Sequence, residues 1–433
     1  MVCSPGNDDD INATRRIETS AKHNVWLLTE MQRTDSARSL IQTPPNTHFS
    51  NNTVRECWAF ARKLYPDRRL EEASNQGGCS FTLLCHCKAH DPPSKCDCLE
   101  STGNRTLVLQ FRRRKHALAM DIVDTAMQSS VWTFAPKLAN IGSLKLDNAV
   151  TLHAYQMSFV DGINLTEVLP RTKQLDGDAH GTIKAVLLSL ANHFIGAFGA
   201  GQCEHMLVAR KHGRGKIGST IFERLCQLEC DLPTDELRAT ARNLRESVGN
   251  GRLNFVPLSL THGDLLPSNI IVDAETGFIK GIIDWAEAEY LPFGLNLYAV
   301  EHVLGFTELD TSTGVKRFVY YDQATMLREF FWLALRGRMQ GLLVQDTRVY
   351  ESVLLARKVG IMLWHGFAWD DGNLDRVVNP VDDAEEMEYL RAILSCDTME
   401  TTFLTRICLT CKQSLSLHVF QASYFEDLQQ GIL

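Results

Sequence analysis

Apolar residues from position 183 onward recur at steps of three and four: Ile183, Val186, Leu187, Leu190, Phe194, Ile195 and Phe198. That period predicts a helix with one buried stripe, and Gly199-Ala200-Gly201 supplies its stop. A shorter run with the same period (Val54, Trp58, Ala61, Leu64) predicts a helix over 54–64. Between them the pattern changes. Ser80–Cys87, Arg105–Phe111 and Val150–Met157 read as strands, with one helix near His116–Gln128. Strands around a single helix predict a small α+β unit.

Further helices are predicted near Leu327–Leu335, Ser352–Phe367 and Asp382–Leu394. The last has Asp382, Asp383, Glu385 and Glu386 around its first turn, where they suit the positive end of the helix dipole. The chain therefore divides into a flexible N-terminal arm (1–53), a small mixed lobe (54–157), a larger, mostly helical lobe (158–400) and a C-terminal tail (401–433).

Chemistry concentrates where helical sequence is interrupted by His262-Gly263-Asp264-Leu265-Leu266-Pro267-Ser268-Asn269. The apolar run after Asn269 predicts a short strand, Ala274–Gly277 a turn, and Ile279–Ile283 a second strand ending at Asp284. Such a hairpin sets Asp264, Asn269 and Asp284 near one end of a ribbon. One carboxylate that handles a hydroxyl proton, with an amide and a carboxylate as hard oxygen ligands for Mg²⁺, is what phosphoryl transfer requires. The spacing of Asp264 and Asn269 fits D-x-x-x-x-N, and Asp284 stands where a kinase DFG aspartate would.

His-Gly-Asp-x-x-Pro-x-Asn followed by Ile-Asp-Trp resembles the aminoglycoside and choline kinase-like phosphotransferase family, which has the bilobal protein-kinase-like fold. Other stretches are similar to a fungal group of uncharacterised members: Gly77–Leu84, Val108–Arg112, Ile282–Glu289, Pro292–Tyr298 and Gly366–Gly372. The resemblance covers roughly 54–395. It implies an enzyme that uses ATP and Mg to phosphorylate a small-molecule hydroxyl, with ATP in the cleft between the lobes. Asp264 is then the base, His262 braces its loop, and Asn269 and Asp284 are the metal ligands. The turn Gln76-Gly77-Gly78-Cys79-Ser80 lies where a glycine loop covers phosphates, with Gly77, Gly78 and Ser80 as candidates. Met157 falls where the interlobe hinge binds adenine, or is plain core.

One position departs from the pattern. On the strand that carries the phosphate-binding lysine of kinases, alternation groups Val108, Gln110 and Arg112 on one face. Gln110 occupies the lysine position without its charge, and Arg112, one pleat on, is the substitute cation unless it belongs to a solvated basic run. Asp121 on the next helix is a candidate for the acidic partner. Absence of a usable cation would leave a weak or inactive, pseudokinase-like nucleotide-binding module. Glu287 and Glu289 read either as groups orienting metal-bound water or a cationic acceptor, or as a solvated acidic loop. Asp370 and Asp371 carry the same two readings. Trp285 is expected to pack between the lobes.

Composition narrows this little further. With 44% hydrophobic and 22% charged residues the chain is of globular type. A net charge of −8 does not suit a nucleic-acid binder. No uninterrupted apolar run of about 18 residues predicts a membrane span, and the polar N-terminus lacks a signal core. The reading is cytoplasmic, with no membrane or nucleic-acid partner. Thirteen cysteines without a secretory signal suggest reduced thiols. Cys85, Cys87, Cys96 and Cys98 form a tight CxC pair of pairs that is either a zinc site or free loop thiols; Cys408 and Cys411 make a weaker CxxC. The sequons at Asn12, Asn51, Asn104 and Asn164 have no function outside the secretory route.

Overall fold

Alternation along Thr106–Arg113 decides how the small lobe is built. Leu107, Leu109 and Phe111 are buried on one face, while Val108 and Gln110 are half-buried on the other. The computed structural model describes residues 49–74, 76–87, 106–128, 134–146, 150–200, 217–312, 314–339, 347–370 and 373–395. Residues up to Val54 and those from Arg55 onward form separate units, and the second holds both lobes.

Helix α1 (Asn51–Leu64) leads into β1 (Arg69–Glu72), β2 (Ser80–His86), β3 (Thr106–Arg113), α2 (Met120–Gln128), β4 (Leu138–Lys145) and β5 (Thr151–Ser158). The strands form one antiparallel sheet in the order β1-β2-β3-β5-β4. The sequence does not disclose β1 and β4, because their exposed, polar faces lack a hydrophobic alternation. The apolar face of β3 meets α1, where Phe60 stands edge-on to Phe111 at 5.8 Å. Gln76 staples the β1–β2 turn: its amide donates to the Ala73 and Thr82 carbonyls and accepts from the Thr82 N–H.

The chain continues through β6 (Ile163–Asn164), α3 (Leu165–Val168), α4 (Gly177–Ala200), α5 (Ile221–Asp231), α6 (Asp235–Gly249), β7 (Leu258–Thr261), β8 (Ile270–Val272), β9 (Ile279–Ile282) and β10 (Glu289–Pro292). It then adds α7 (Ala299–Val303), β11 (Gly305–Leu309), β12 (Lys316–Tyr320), α8 (Ala324–Arg338), α9 (Thr347–His365), β13 (Phe367–Asp370), β14 (Asn373–Val377) and α10 (384–395). Helix α4 is the predicted apolar stripe, and it buries Ile183, Val186, Leu187, Leu190 and Phe194 in the core. Over Gly177–Phe198 it is long and apolar enough to cross a membrane by length and composition alone, contrary to the expectation from uninterrupted runs. More than half of that stretch is nevertheless covered by protein. A five-stranded antiparallel sheet with one helix between its third and fourth strands, followed by a larger helical lobe, is the expected α+β, bilobal, protein-kinase-like fold.

The helical lobe contains a buried ion cluster that the sequence does not disclose. Glu301 on α7 has 0% exposure. It accepts from Arg328 at 3.0 and 2.7 Å, from Arg357 at 2.7 Å and from the Tyr320 hydroxyl at 2.9 Å. Burial alone would raise its carboxyl, but the two guanidiniums hold it well below the usual carboxylate range.

Cys57, Cys79, Cys85, Cys87, Cys226 and Cys230 form no disulfide among the described residues. Cys96, Cys98, Cys408, Cys411, Asp371 and the sequon residues Asn12 and Asn104 lie outside the described residues.

Candidate active site

β7 delivers the chain to His262, and β8 and β9 form the hairpin that returns it to Asp284. Gly263 makes the turn possible. Its φ is +81°, and a Cβ there would lie 2.1 Å from the Glu287 carbonyl oxygen, so no other residue fits without moving that loop.

His262 has 0% exposure. Its Nε2–H donates to the Ile283 carbonyl at 2.8 Å, and its Nδ1 accepts from the Asp264 N–H at 3.2 Å. These partners require the neutral tautomer, and burial lowers its pKa to about 4. The histidine therefore ties the two ends of the hairpin together rather than moving protons. On α7, His302 is likewise buried and lies beside His365; burial first, then that neighbour, lowers it to about 3.

Both histidines stay neutral in the native state but take up protons near pH 6.5 when unfolded. Their contribution to stability is therefore complete above that pH and is lost as pH falls below it, at up to about 1.4 kcal/mol per pH unit each. Asp264, whose carboxyl is raised, has the opposite sign and offsets only one of the two. Urea unfolding between pH 7 and 5 should show declining stability, with a shallower slope for His302→Asn. Equal slopes would contradict the assignment.

Asp264 sits between burial and charge. Asn269 Nδ2 donates to both its main-chain carbonyl and its Oδ2 at 2.9 Å. Burial, and then the neighbouring Asp284, raise the Asp264 carboxyl to about 7, while the Asn269 bond acts in the opposite direction. A carboxyl near neutrality suits a general base. The Asn269 main-chain carbonyl accepts from the Ile283 N–H at 2.9 Å, which ties the loop to the strand that ends at Asp284.

Asp284 adopts φ +61°, ψ +66°, a left-handed conformation rare outside glycine and costly unless its surroundings enforce it. Its side chain remains 38% exposed. Arg112 Nη2 donates to its Oδ1 at 2.5 Å. Burial would raise this carboxyl, but the guanidinium beside it lowers it below the usual range. Arg112 is itself only 1% exposed, so it does not belong to the solvated run, whereas Arg114 and Lys115 are exposed.

The other candidates are arranged around this pair. Gln110 donates from Nε2 to Ser80 Oγ at 3.0 Å and accepts at Oε1 from Arg112 Nε at 2.7 Å. Ser80 is buried, so its hydroxyl serves Gln110. Gly77 and Gly78 lie in the turn before β2. Asp121 is exposed on α2 and is not the partner of Arg112; the neutral Gln110 holds that position. Met157, half-buried on β5, faces Val108 of β3 and Leu138 of β4 in the register and packs against the core.

Several bracing residues escape sequence reasoning. The Tyr298 hydroxyl accepts from the Leu265 N–H and donates to the Gly263 carbonyl, both at 3.4 Å, clamping the backbone on either side of Asp264. Tyr298 is brought there because Gly360 lets α9 approach closely: a Cβ at Gly360 would lie 1.9 Å from the Leu295 carbonyl oxygen. Asn164, one of the sequons, donates to the Ser268 carbonyl at 2.6 Å. Glu289 is buried and accepts from the Ile217 and Gly218 N–H groups at 3.0 Å, so it does not belong to a solvated loop. Glu287 is half-buried, and its main-chain carbonyl abuts Gly263. Trp285 packs within the large lobe rather than between lobes, edge-on to His262 at 4.7 Å and donating to the Ile282 carbonyl. The Asp370 backbone ends β13.

Among the described residues, no group of three or more His, Cys, Asp or Glu side chains gathers to hold a metal. The donors that could take Mg²⁺ are the Asn269 amide oxygen and the Asp284 carboxylate. Hard oxygens in small number suit an ion that completes its shell with water and phosphate.

Residues 217–298 match the family profile described as the phosphotransferase enzyme family (APH), a span that includes His262, Asp264, Asn269 and Asp284. A comparison with curated protein sequences gives no match. Among solved structures, the chain is similar to a Plasmodium vivax ethanolamine kinase at 14% identity and TM-score 0.45, covering 81% of this chain and 90% of that one. It is also similar to a GDP complex of an aminoglycoside 2'-phosphotransferase-IIIa mutant, at 13% identity and TM-score 0.44, covering 81% and 98%. A third likeness is to an aminoglycoside phosphotransferase APH(4)-Ia mutant with ADP and hygromycin B, at 16% identity and TM-score 0.41, covering 78% and 97%.

Proposed function

We propose that this chain is a small-molecule kinase that moves the γ-phosphoryl group of ATP, with Mg²⁺, to an acceptor hydroxyl. The observation that carries the reading is the constrained juxtaposition of Asp264 and Asn269 beside Asp284, with a buried guanidinium on the last. Asp264 takes the hydroxyl proton as the oxygen attacks phosphorus and the bond to the β-phosphate oxygen breaks. Asn269 and Asp284 hold the cation, which when bound offsets charge on the phosphates. Arg112 supplies the positive charge that a lysine supplies in protein kinases. His262 and Tyr298 keep the Asp264 backbone in place.

A second reading, a nucleotide-binding module with little or no turnover, is favoured by Gln110 at the lysine position. Thermal unfolding with Mg-ATP separates the alternatives. The kinase reading expects stabilisation that requires Mg²⁺, is lost in Asp284→Ala, and is accompanied by ADP formation when an acceptor is supplied from a panel of hydroxylated metabolites. Metal-independent stabilisation without ADP formation supports the module, and no nucleotide effect at all removes both.

A further inference from the structure

We propose that Arg112 makes divalent-cation binding at Asp284 conditional on nucleotide, and that Gln110 is the positioning residue that holds Arg112 to this task. The inference rests on the kinase reading of the same site.

The relay begins at Ser80 on β2, which receives the Gln110 amide at 3.0 Å. Gln110 Oε1 then accepts from Arg112 Nε–H at 2.7 Å, and Arg112 Nη2 reaches Asp284 Oδ1 at 2.5 Å. Because Nε is anchored and the side chain is buried, only the outer edge of the guanidinium faces the site, and it faces Asp284. Gln110 is neutral, so it orients the guanidinium without neutralising any of its charge. The glutamate that pairs with the kinase lysine would share that charge.

A divalent ion on this carboxylate would sit about 2.1 Å from its oxygen. On Oδ1 it would then lie within about 5 Å of a full positive charge, and on Oδ2 within about 7 Å, since Arg112 is 2.5 Å from Oδ1. Two cations that close repel, so metal alone binds weakly. Triphosphate oxygens change the balance: they attract both the ion and the guanidinium, whose planar fork of donors can serve carboxylate and phosphate together. Metal and nucleotide consequently enter as a unit.

The test uses Mn²⁺ as the probe on the full chain without nucleotide, with free Mn²⁺ read by electron paramagnetic resonance. Wild type should bind Mn²⁺ alone weakly. Arg112→Gln should bind it at least about tenfold tighter, a gain of about 1.4 kcal/mol, and adding Asp284→Asn should abolish the gain. Gln110→Met, which keeps the charge but frees Nε, should shift affinity in the same direction by a smaller factor. It decides the matter if Arg112→Gln does not fold, as judged by circular dichroism. Mn²⁺ affinities equal to wild type in the folded variants would overturn the inference. That failure is distinguishable from failure of the kinase reading, which shows as no Mg-ATP stabilisation of wild type.

Discussion

Asp264→Asn is expected to lower phosphoryl transfer about 10²–10⁴-fold, the usual contribution of a positioned general base, while Mg-ATP binding changes little. The amide keeps the shape of the side chain and can still accept from Asn269 Nδ2. It cannot take a proton from the acceptor hydroxyl. The same substitution should raise the melting temperature of the metal-free protein, because it removes a carboxylate that is disfavoured by burial and by the charge on Asp284. Stability stored against function in this way is common at reaction centres. Single-turnover ADP formation and thermal unfolding, measured on the same preparation, check both halves. Wild-type turnover in this variant would remove Asp264 from the mechanism.

The largest loss of stability is expected for Glu301→Ala. It leaves Arg328 and Arg357 in the core without the carboxylate that both address. Breaking one side of a buried ion cluster costs about 3–5 kcal/mol, chiefly because the remaining charges lose the anion that compensates them. The denaturant midpoint should fall accordingly. The neutral, similarly shaped Glu301→Gln should also be strongly destabilised, since it restores volume but not charge. A shift below about 1 kcal/mol, the scale of a surface pair, would show that solvent reaches the cluster.

Much of the candidate site is legible in the sequence because it is local. His262, Asp264, Asn269 and Asp284 lie on one loop and one hairpin, and the hydrophobic run between them is long enough to announce β8 and β9. The long stripe of α4 is legible for the same reason: its period is a property of the helix itself. Elements whose ordering depends on neighbours are not. β1 and β4 are polar strands held by backbone pairing to β2 and β5, and the β11–β12 and β13–β14 hairpins likewise depend on register rather than on pattern. The expectation for Trp285 fails because its apolar surface says that it is buried but not against what.

By itself, the order of residues determined the α+β, two-lobed plan and the candidate set His262, Asp264, Asn269 and Asp284, since spacing and hydrophobic period act over a few residues. Only the tertiary structure decided that Arg112 serves Asp284, 172 positions away, that Gln110 rather than Asp121 orients it, and that Tyr298 clamps the loop around Asp264. The physical reason is common to all three. A buried charge or hydroxyl must find a partner, and which partner it finds depends on surfaces brought together only when the chain folds.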